Sequence, residues 1–180
     1  MKVRRLEQAE HGLTRPLYEE VFSEDSKRFI DYYYTEKTKD NQIYVAEEDG
    51  GIQAMLHLNP YELNVNGTKK KVNYIVAVAT REAYRGRGFM KALLETALRD
   101  MYQDGQSFTY LMPAAEAIYT PHGFRTVYEQ QLEYCPIGEK GEVQLENGIT
   151  CQVRPVEQQD LPMLVNAENA ALEAEGYQVY

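Results

Sequence analysis

A basic turn with two glycines is the stretch of this sequence best suited to binding an anion. Residues 85–88 are Arg-Gly-Arg-Gly and lie between an apolar segment, 76–80, and an amphipathic segment that begins at Phe89. Glycine permits a positive φ and a close approach of the backbone, and the first amides of a helix have no partner within the helix. Arg81 and Lys91 add positive charge to this part of an acidic chain. The pattern predicts a strand, a phosphate-binding turn and a helix, in that order.

Two common nucleotide-binding motifs do not match this basic turn. A P-loop requires Gly-Lys followed by Ser or Thr, whereas Gly88 is followed by Phe89. A dinucleotide-binding fingerprint requires a third glycine where Lys91 stands and an early parallel βαβ unit. A glycine turn with solvated arginines and no ligand is the remaining alternative. The combination of strand, turn, charge and helix favours binding.

Alternating polar and apolar residues indicate the sheet that must position the basic turn. Asp-Gly at 49–50 and Asn-Gly at 66–67 separate alternating segments and predict two hairpins before the turn. We predict strands over residues 3–6, 43–46, 52–58, 61–65, 71–80, 108–112 and 124–134.

The strand that leads into the turn, residues 71–80, is apolar on both faces. Such a strand is typical of the centre of a sheet that helices cover on both sides. We expect its two faces to be formed by Tyr74, Val76 and Val78 on one side, and by Ile75, Ala77 and Ala79 on the other.

Capping residues and apolar periodicity predict the helices. Thr14 and Ser26 are candidate N-caps of two early helices, and Pro16 is tolerated in the first turn of the first one. The helix after the basic turn has one apolar face and ends at 104–105, Asp-Gly, and a short helix is predicted over 114–119. The apolar face consists of Met90, Leu93, Leu94, Ala97, Leu98 and Met101. Together the elements predict an α/β (α+β) fold with a mixed, mostly antiparallel central sheet flanked by helices on both faces.

Composition limits the classes of function. The chain has 180 residues and a net charge of -9, which argues against nucleic-acid binding and is compatible with a cationic substrate. No apolar run is long enough for a signal peptide or a membrane span. Cys135 and Cys151 lack the spacing of a zinc site or a disulfide framework, so we expect a cytoplasmic protein without a metal.

A short internal repeat indicates a domain boundary. Residues 3–10, Val-Arg-Arg-Leu-Glu-Gln-Ala-Glu, resemble residues 153–160, Val-Arg-Pro-Val-Glu-Gln-Gln-Asp. The segment between Pro136 and Gly148 is rich in Gly, Glu and Lys, as a connection would be. We therefore expect a second copy of the fold to begin near Gln152. The residues after Gln152 are too few to form a core, so we expect either a fragment of a longer protein or a tail that packs on the first domain or on another chain.

The residues around the basic turn resemble the GCN5-related N-acetyltransferase (GNAT) superfamily. The resemblance rests on residues 78–88, Val-Ala-Thr-Arg-Glu-Ala-Tyr-Arg-Gly-Arg-Gly, and on residues 119–124, Tyr-Thr-Pro-His-Gly-Phe. Within the superfamily, Phe-Met at 89–90 and the run 111–119 are most similar to the N-terminal domain of bacterial enhanced-intracellular-survival (Eis-like) acetyltransferases. These proteins have an acetyltransferase domain, a degenerate second copy and a sterol-carrier-like C-terminal domain.

The resemblance implies roles for individual residues toward acetyl-CoA. Val78, Ala79 and Thr80 would pair their backbone with the pantetheine arm, and the turn and first helical residues would bind the pyrophosphate. The pyrophosphate residues are Gly86, Arg87, Gly88, Phe89, Met90 and Lys91, and Arg85 is a further cofactor-binding residue. Tyr119 would be the general acid that protonates the leaving thiolate.

The general base remains open among His57, Glu116 and His122, each of which also has an ordinary structural explanation. In the Eis-like family the C-terminal carboxylate of the full chain reaches the active site. This chain ends at Tyr180 without that domain, so we expect its activity alone to be in question.

These observations predict an N-acetyltransferase that moves acetyl from acetyl-CoA to a primary amine. The acceptor would be a small cation, aminoglycoside-like or polyamine-like, or a protein lysine, and homo-oligomer formation stays open. An acyl-CoA-binding or assembly module without turnover is the alternative. We expect an acetyl-CoA-binding domain over residues 1–135, a connection over 136–151 and an incomplete second domain over 152–180.

Overall fold

The computed structural model describes residues 1–129, 141–145 and 147–174. The chain forms two compact units, residues 1–125 and residues 126–180. The strands of the first unit are β1 (Lys2–Arg5), β2 (Gln42–Glu48), β3 (Gly51–Val65) and β4 (Thr68–Thr80). Its α-helices are α1 (Arg15–Val21), α2 (Lys27–Thr35), α3 (Phe89–Gln103) and α4 (Glu116–Tyr119). Short 3-10 helices cover Gln8–Thr14, Lys37–Lys39, Glu82–Tyr84 and Thr120–His122.

The first unit has a four-stranded sheet between two helical layers. The strand order is β1-β2-β3-β4, and each neighbouring pair is antiparallel. The apolar face of α3 packs on one side of the sheet, and α1 and α2 pack on the other. The predicted fold class, a mostly antiparallel sheet flanked by helices on both faces, is confirmed. No helix within the described ranges is long and apolar enough to cross a membrane.

Both predicted hairpins are present. Asp49 and Gly50 have φ of 52° and 77°, and Asn66 and Gly67 have φ of 51° and 76°. Two consecutive positive φ angles are typical of the tight turn that matches the twist of paired strands.

The structure differs from the prediction at Pro60, which lies inside one continuous strand, β3, rather than between two strands. Pro60 lies opposite Asn73. The amide of Asn73 donates to the side chain of Gln106 at 3.2 Å and its carbonyl accepts from the hydroxyl of Thr109 at 2.6 Å, so the Asn73 backbone faces away from β3. At such a non-hydrogen-bonded pair the missing N–H of proline costs no ladder bond, so the strand continues.

A β-bulge in β4 changes which residues share a face. Ala77 has a φ of 49°, and the register between β3 and β4 shifts between Met55 and His57. Val76, Ala77 and Ala79 pack towards α1 and α2, whereas Ile75 and Val78 pack towards α3. The predicted faces of this strand were therefore wrong, because strict alternation does not survive an extra residue.

The predicted helices are present, with one difference at a cap. Ser26 caps α2, since its hydroxyl oxygen accepts from the amide of Phe29 at 3.2 Å. Thr14 does not cap α1, because a 3-10 helix precedes it and its hydroxyl donates to the carbonyl of His11 at 2.8 Å. In α3 the predicted face packs on the core, with Met90 and Leu98 only partly buried, and the helix ends at Asp104 and Gly105.

Two predicted strands are shorter than expected or absent in the described residues. The segment 108–112 forms a single parallel bridge, Tyr74 to Tyr110, rather than a strand. Residues 124–129 have no strand, and the rest of the strand predicted over 124–134 lies outside the described residues.

The second unit contains a hairpin and a helix. The hairpin consists of β5 (Glu142–Gln144) and β6 (Thr150–Gln152), within and just after the predicted connection, and the helix is α5 (Leu161–Ala174). Arg154 pairs with Asp160 at 2.7 Å, and Asp160 accepts from the amide of Glu157 at 2.9 Å. In the first unit Arg4 pairs with Glu10, and Glu10 accepts from the amide of Glu7, both at 2.9 Å. The two repeated segments therefore share one hydrogen-bonding pattern.

The core between the sheet and α2 contains a fully buried histidine. His57 is 0% exposed, and the hydroxyl of Tyr33 lies 2.9 Å from its Nδ1. Burial lowers the pKa of His57 from 6.5 to about 3. His57 is therefore neutral in the native state at neutral pH.

The neutral state of His57 predicts a loss of stability in mild acid. Below about pH 6.5 the unfolded chain binds a proton that the native state does not, so stability falls as the pH falls. Between about pH 7.5 and 5.0 this one group lowers the free energy of unfolding by about 2 kcal/mol. Urea unfolding of the wild type and of His57→Gln at both pH values measures the effect. We expect the variant to lose about 2 kcal/mol less than the wild type, and equal losses would contradict a neutral buried His57.

Candidate functional site

The basic turn brings unpartnered amides to the start of α3. Gly86 and Gly88 have φ of 72° and 84°, and Gly88 is the N-cap of the helix. The first bond of the helix runs from the amide of Ala92 to the carbonyl of Gly88 at 3.0 Å. The amides of the first three helical residues therefore have no intrahelical acceptor, and no side chain caps this end. These amides lie at the positive end of the helix dipole.

The turn is also open to a ligand. A Cβ on Gly86 or Gly88 would meet no described atom within 4 Å beyond those of its chain neighbours. The glycines are therefore required by their positive φ, and the space beside them is free for an anion to approach the backbone. Converging amides, a positive helix end and open space fit a diphosphate.

Arg87, one of the four cations near the turn, makes contacts that stabilise the turn. The guanidinium of Arg87 forms an ion pair with Glu48 and lies 4.7 Å from the ring centroid of Tyr84. The hydroxyl of Tyr84 donates to the carboxylate of Asp49 at 2.8 Å. The acidic β2–β3 turn thus contacts the basic turn. This pairing was not predicted from the sequence, although the opposite charges of the two predicted turns indicate it.

The other cations have different positions. Arg81 forms an ion pair with Glu20 of α1. Arg85 donates from Nε to the carbonyl of Thr80 at 3.2 Å, and the ammonium of Lys91, on a side chain 64% exposed, lies 3.8 Å from Glu95. In sequence, Arg85 and Lys91 lie just before and within the first turn of α3.

One edge of β4 leads directly to the turn. The amide of Arg81 donates to the carbonyl of Gln53 at 2.9 Å, so by alternation Ala79 also directs its backbone groups to β3. Val78 and Thr80 then direct theirs to the opposite edge, which agrees with the bond from Arg85 to the Thr80 carbonyl. Two of the three strand residues that were predicted to contact a pantetheine arm, Val78 and Thr80, therefore have backbone groups at the outer edge of β4.

The chain segment beside this edge separates from β4. The amide of Ile75 donates to the carbonyl of Tyr110 at 2.9 Å, and the described residues after Tyr110 form no further bridge with β4. Leu111 packs against the α3 side of the core, as does Val78. Among the residues that the structure describes, the outer edge of β4 thus has no strand partner from the bulge to the basic turn.

Tyr119 lies on the same side of the sheet as this opening. It is the last residue of α4, it packs against the α3 side of the core, and its ring centroid is 5.8 Å from that of Phe124. Burial raises the pKa of Tyr119, and the nearby Tyr74 raises it further. Tyr119 is therefore protonated at neutral pH and can donate a proton.

None of the three base candidates gains support from its position. His57 is fully buried against Tyr33 on the other face of the sheet. Glu116 is exposed in the first turn of α4, and His122 is half-buried in the 3-10 helix that follows. The described residues contain no group of His, Cys, Asp and Glu that could hold a metal ion.

Comparison with solved structures shows the same fold. A probable N-acyltransferase of unknown function from Enterococcus faecalis V583 matches with a TM-score of 0.63 and 20% identity over 68% of this chain and 31% of that chain. Glucosamine-6-phosphate N-acetyltransferase from Arabidopsis thaliana matches with a TM-score of 0.57 and 21% identity over 74% of this chain and 97% of that chain. A predicted acetyltransferase from Clostridium acetobutylicum, solved with acetyl-CoA, matches with a TM-score of 0.61 and 15% identity over 73% and 95% of the two chains.

The chain thus spans less than a third of the Enterococcus protein and nearly all of the other two. No curated protein gives a significant match. The model of the acetyltransferase (GNAT) domain family matches residues 2–127, which include the sheet, the basic turn, α3 and Tyr119. The chain therefore belongs to the GNAT acetyltransferase family, and its first unit is an acyltransferase domain.

Proposed function

We propose that the first unit binds acetyl-CoA along the outer edge of β4 and transfers its acetyl group to a primary amine. The observation that carries this proposal is the edge at Val78 and at the amide of Thr80, which has no strand partner among the described residues and ends at the first amides of α3; the Thr80 carbonyl accepts from Arg85. A pantetheine arm contains amides and is extended, so it can pair with a free strand edge as an added strand would. A pantetheine arm bound along this edge would place the diphosphate at the basic turn.

Different residues around the opening would bind acetyl-CoA and donate the proton. The amides at the start of α3, close in sequence to Arg85 and Lys91, would bind the diphosphate. Acetyl-CoA supplies an activated thioester when it is bound. Tyr119 keeps its proton at neutral pH, so it can donate that proton to the departing thiolate. The acceptor amine must be neutral to attack, and no described residue is assigned as its base.

The acceptor class follows from charge and from the enzyme class. A chain with a net charge of -9 attracts cations, which favours a small amine such as a polyamine or an aminoglycoside, with a protein lysine as the second candidate. The similarity to Eis-like N-terminal domains is part of this proposal. The repeated pairing of Arg4 with Glu10 and of Arg154 with Asp160 supports a second copy of the fold beginning near Gln152.

Substitution at the N-cap of α3 tests the diphosphate site. We expect Gly88→Glu to weaken CoA binding at least about 100-fold, since it places a carboxylate and a strained φ where the phosphates would lie. Gly105→Glu is the matched control, because Gly105 has a φ of 77° just past the other end of the same helix. We expect the control to change CoA affinity less than about twofold, measured by calorimetry on folded protein. Equal losses in both variants would contradict the proposed site.

Removal of one hydroxyl tests the proposed acid. We expect Tyr119→Phe to lower kcat about 100-fold while leaving the KM for acetyl-CoA within about threefold, as loss of a proton donor does. Thiol release with a panel of amines measures both constants. Tyr102→Phe, at a tyrosine of α3 that is 82% exposed, is the control and should have no effect. Undiminished turnover in Tyr119→Phe would refute the assigned role, and CoA binding without any turnover in the wild type would favour a binding module.

A further inference from the structure

Three buried polar atoms on one face of the sheet have no hydrogen-bond partner among the described residues. They are Oδ1 of Asn41, Nε2 of His57 and Oδ1 of Asn59. The residues are 6%, 0% and 5% exposed, respectively. Buried polar atoms in native proteins nearly always have a partner, so three unpartnered atoms require an explanation. Two of the three, the amide oxygens, can only accept a hydrogen bond.

The strand register brings these residues together. His57 lies opposite Ile43, and the same register continued by two residues places Asn41 opposite Asn59. Asn59 lies opposite Tyr74 on the other side of β3. Directly opposed side chains have Cβ atoms about 5 Å apart. The two amide oxygens thus belong to one patch, on the face that α1 and α2 cover.

Tyrosine rings extend this patch from the buried oxygens to the surface and to the opening beside β4. The ring centroids of Tyr61 and Tyr74 are 6.2 Å apart, and those of Tyr74 and Tyr110 are 5.1 Å apart. Tyr61 is 37% exposed. Tyr74 and Tyr110 form the bridge beyond which the edge of β4 becomes open.

The ammonium group of Lys37 lies over one ring of the patch, that of Tyr61. Nζ of Lys37 lies 5.2 Å from the ring centroid of Tyr61, within the range of a cation–π contact. Its nearest carboxylate, Asp40, is 3.8 Å away. The ring face of Tyr61 therefore accommodates a primary ammonium, which is the group that an amine acceptor presents.

We propose that Asn41, Asn59, Tyr61 and Tyr74, here called the acceptor patch, bind a charged ammonium group of a polyamine acceptor, while a second, neutral amine of the same molecule attacks the thioester. Unpartnered oxygens require donors, an ammonium has three N–H donors and no acceptor, and the tyrosine rings attract its charge. The substrate class is therefore a polyamine, one of whose ammonium groups is recognised by neutral oxygens and rings. This inference rests on the proposed acetyltransferase function, since it places the acceptor beside the opening where the acetyl group would lie.

Two substitutions in the patch should have opposite effects on the acceptor. Asn59→Leu removes an unpartnered oxygen, so we expect it to raise the KM for spermidine at least about tenfold, with the KM for acetyl-CoA unchanged. Lys37→Gln removes a competing ammonium, so we expect it to lower the KM for spermidine about threefold. The matched control is Asn73→Leu, because Asn73 is also buried, at 4% exposure, with an unpartnered side-chain atom, and should leave the KM for spermidine unchanged.

Steady-state kinetics with the full chain, together with urea unfolding of each variant, separate the outcomes. An unchanged KM for spermidine in Asn59→Leu, or an equal change in Asn73→Leu, would overturn the inference and leave bound water as the partner of these atoms. A raised KM in Lys37→Gln would also overturn it, since Lys37 would then recognise an anionic part of the acceptor.

A second measurement covers the case in which no amine is acetylated. Calorimetric titration of the wild type with spermidine should show binding that Asn59→Leu weakens at least about tenfold and Asn73→Leu does not. Such binding without turnover would reject the proposed function and keep the patch as an amine site. Turnover or CoA binding without any effect of Asn59→Leu would reject only the patch.

Discussion

The fold of the first unit depends on one constraint: the outer edge of β4 must stop pairing before the strand ends. The β-bulge at Ala77 interrupts the alternation of β4 just beyond Tyr74, the residue that forms the single bridge to Tyr110. A non-glycine residue at positive φ costs about 1–3 kcal/mol and persists only where the surroundings fix it. Ala77 is 7% exposed in the core with α1 and α2, so packing on that face opposes the cost. The bulge therefore links the α1–α2 layer to the opening on the other edge of β4.

Around the basic turn, the arginine side chains and the backbone amides have different roles. Arg87 is engaged by Glu48 and by the ring of Tyr84, and Arg81 is engaged by Glu20, so these arginines fix the geometry of the turn. The proposed anion site relies on backbone amides and a helix terminus, which are fixed in position and cost little reorganisation on binding. An acidic chain can bind a diphosphate at such a site because the local field, not the net charge, acts on the ligand.

Local patterns predicted much of this fold and one side of the site. The apolar face of α3, the Asp-Gly and Asn-Gly hairpins and the cap at Ser26 are each determined by residues within a few positions, so sequence alone predicted them. The basic turn belongs to the same group. Its two glycines and the following periodicity are local, and the structure places them at the start of a helix.

The features that sequence did not predict depend on partners far along the chain. Pro60 is tolerated inside β3 because Asn73 directs its backbone groups to another segment. The register shift in β4 and the pairing of Arg87 with Glu48 likewise appear only after the sheet has formed. Asn41 and Asn59 share a patch through register alone. Nothing in the spacing of these residues indicated such contacts, since each joins positions that only pairing brings together.

Amide hydrogen exchange with and without CoA tests most directly whether the open edge of β4 is the binding edge. In free protein we expect the amides of Val78 and Thr80 to exchange faster than that of Ala79, which donates to β3. CoA should slow exchange at Val78 and Thr80 and at the first amides of α3, with Ala79 protected in both states. If CoA bound while exchange at Val78, Thr80 and the start of α3 stayed unchanged, the ligand would lie elsewhere and the open edge would not be its site.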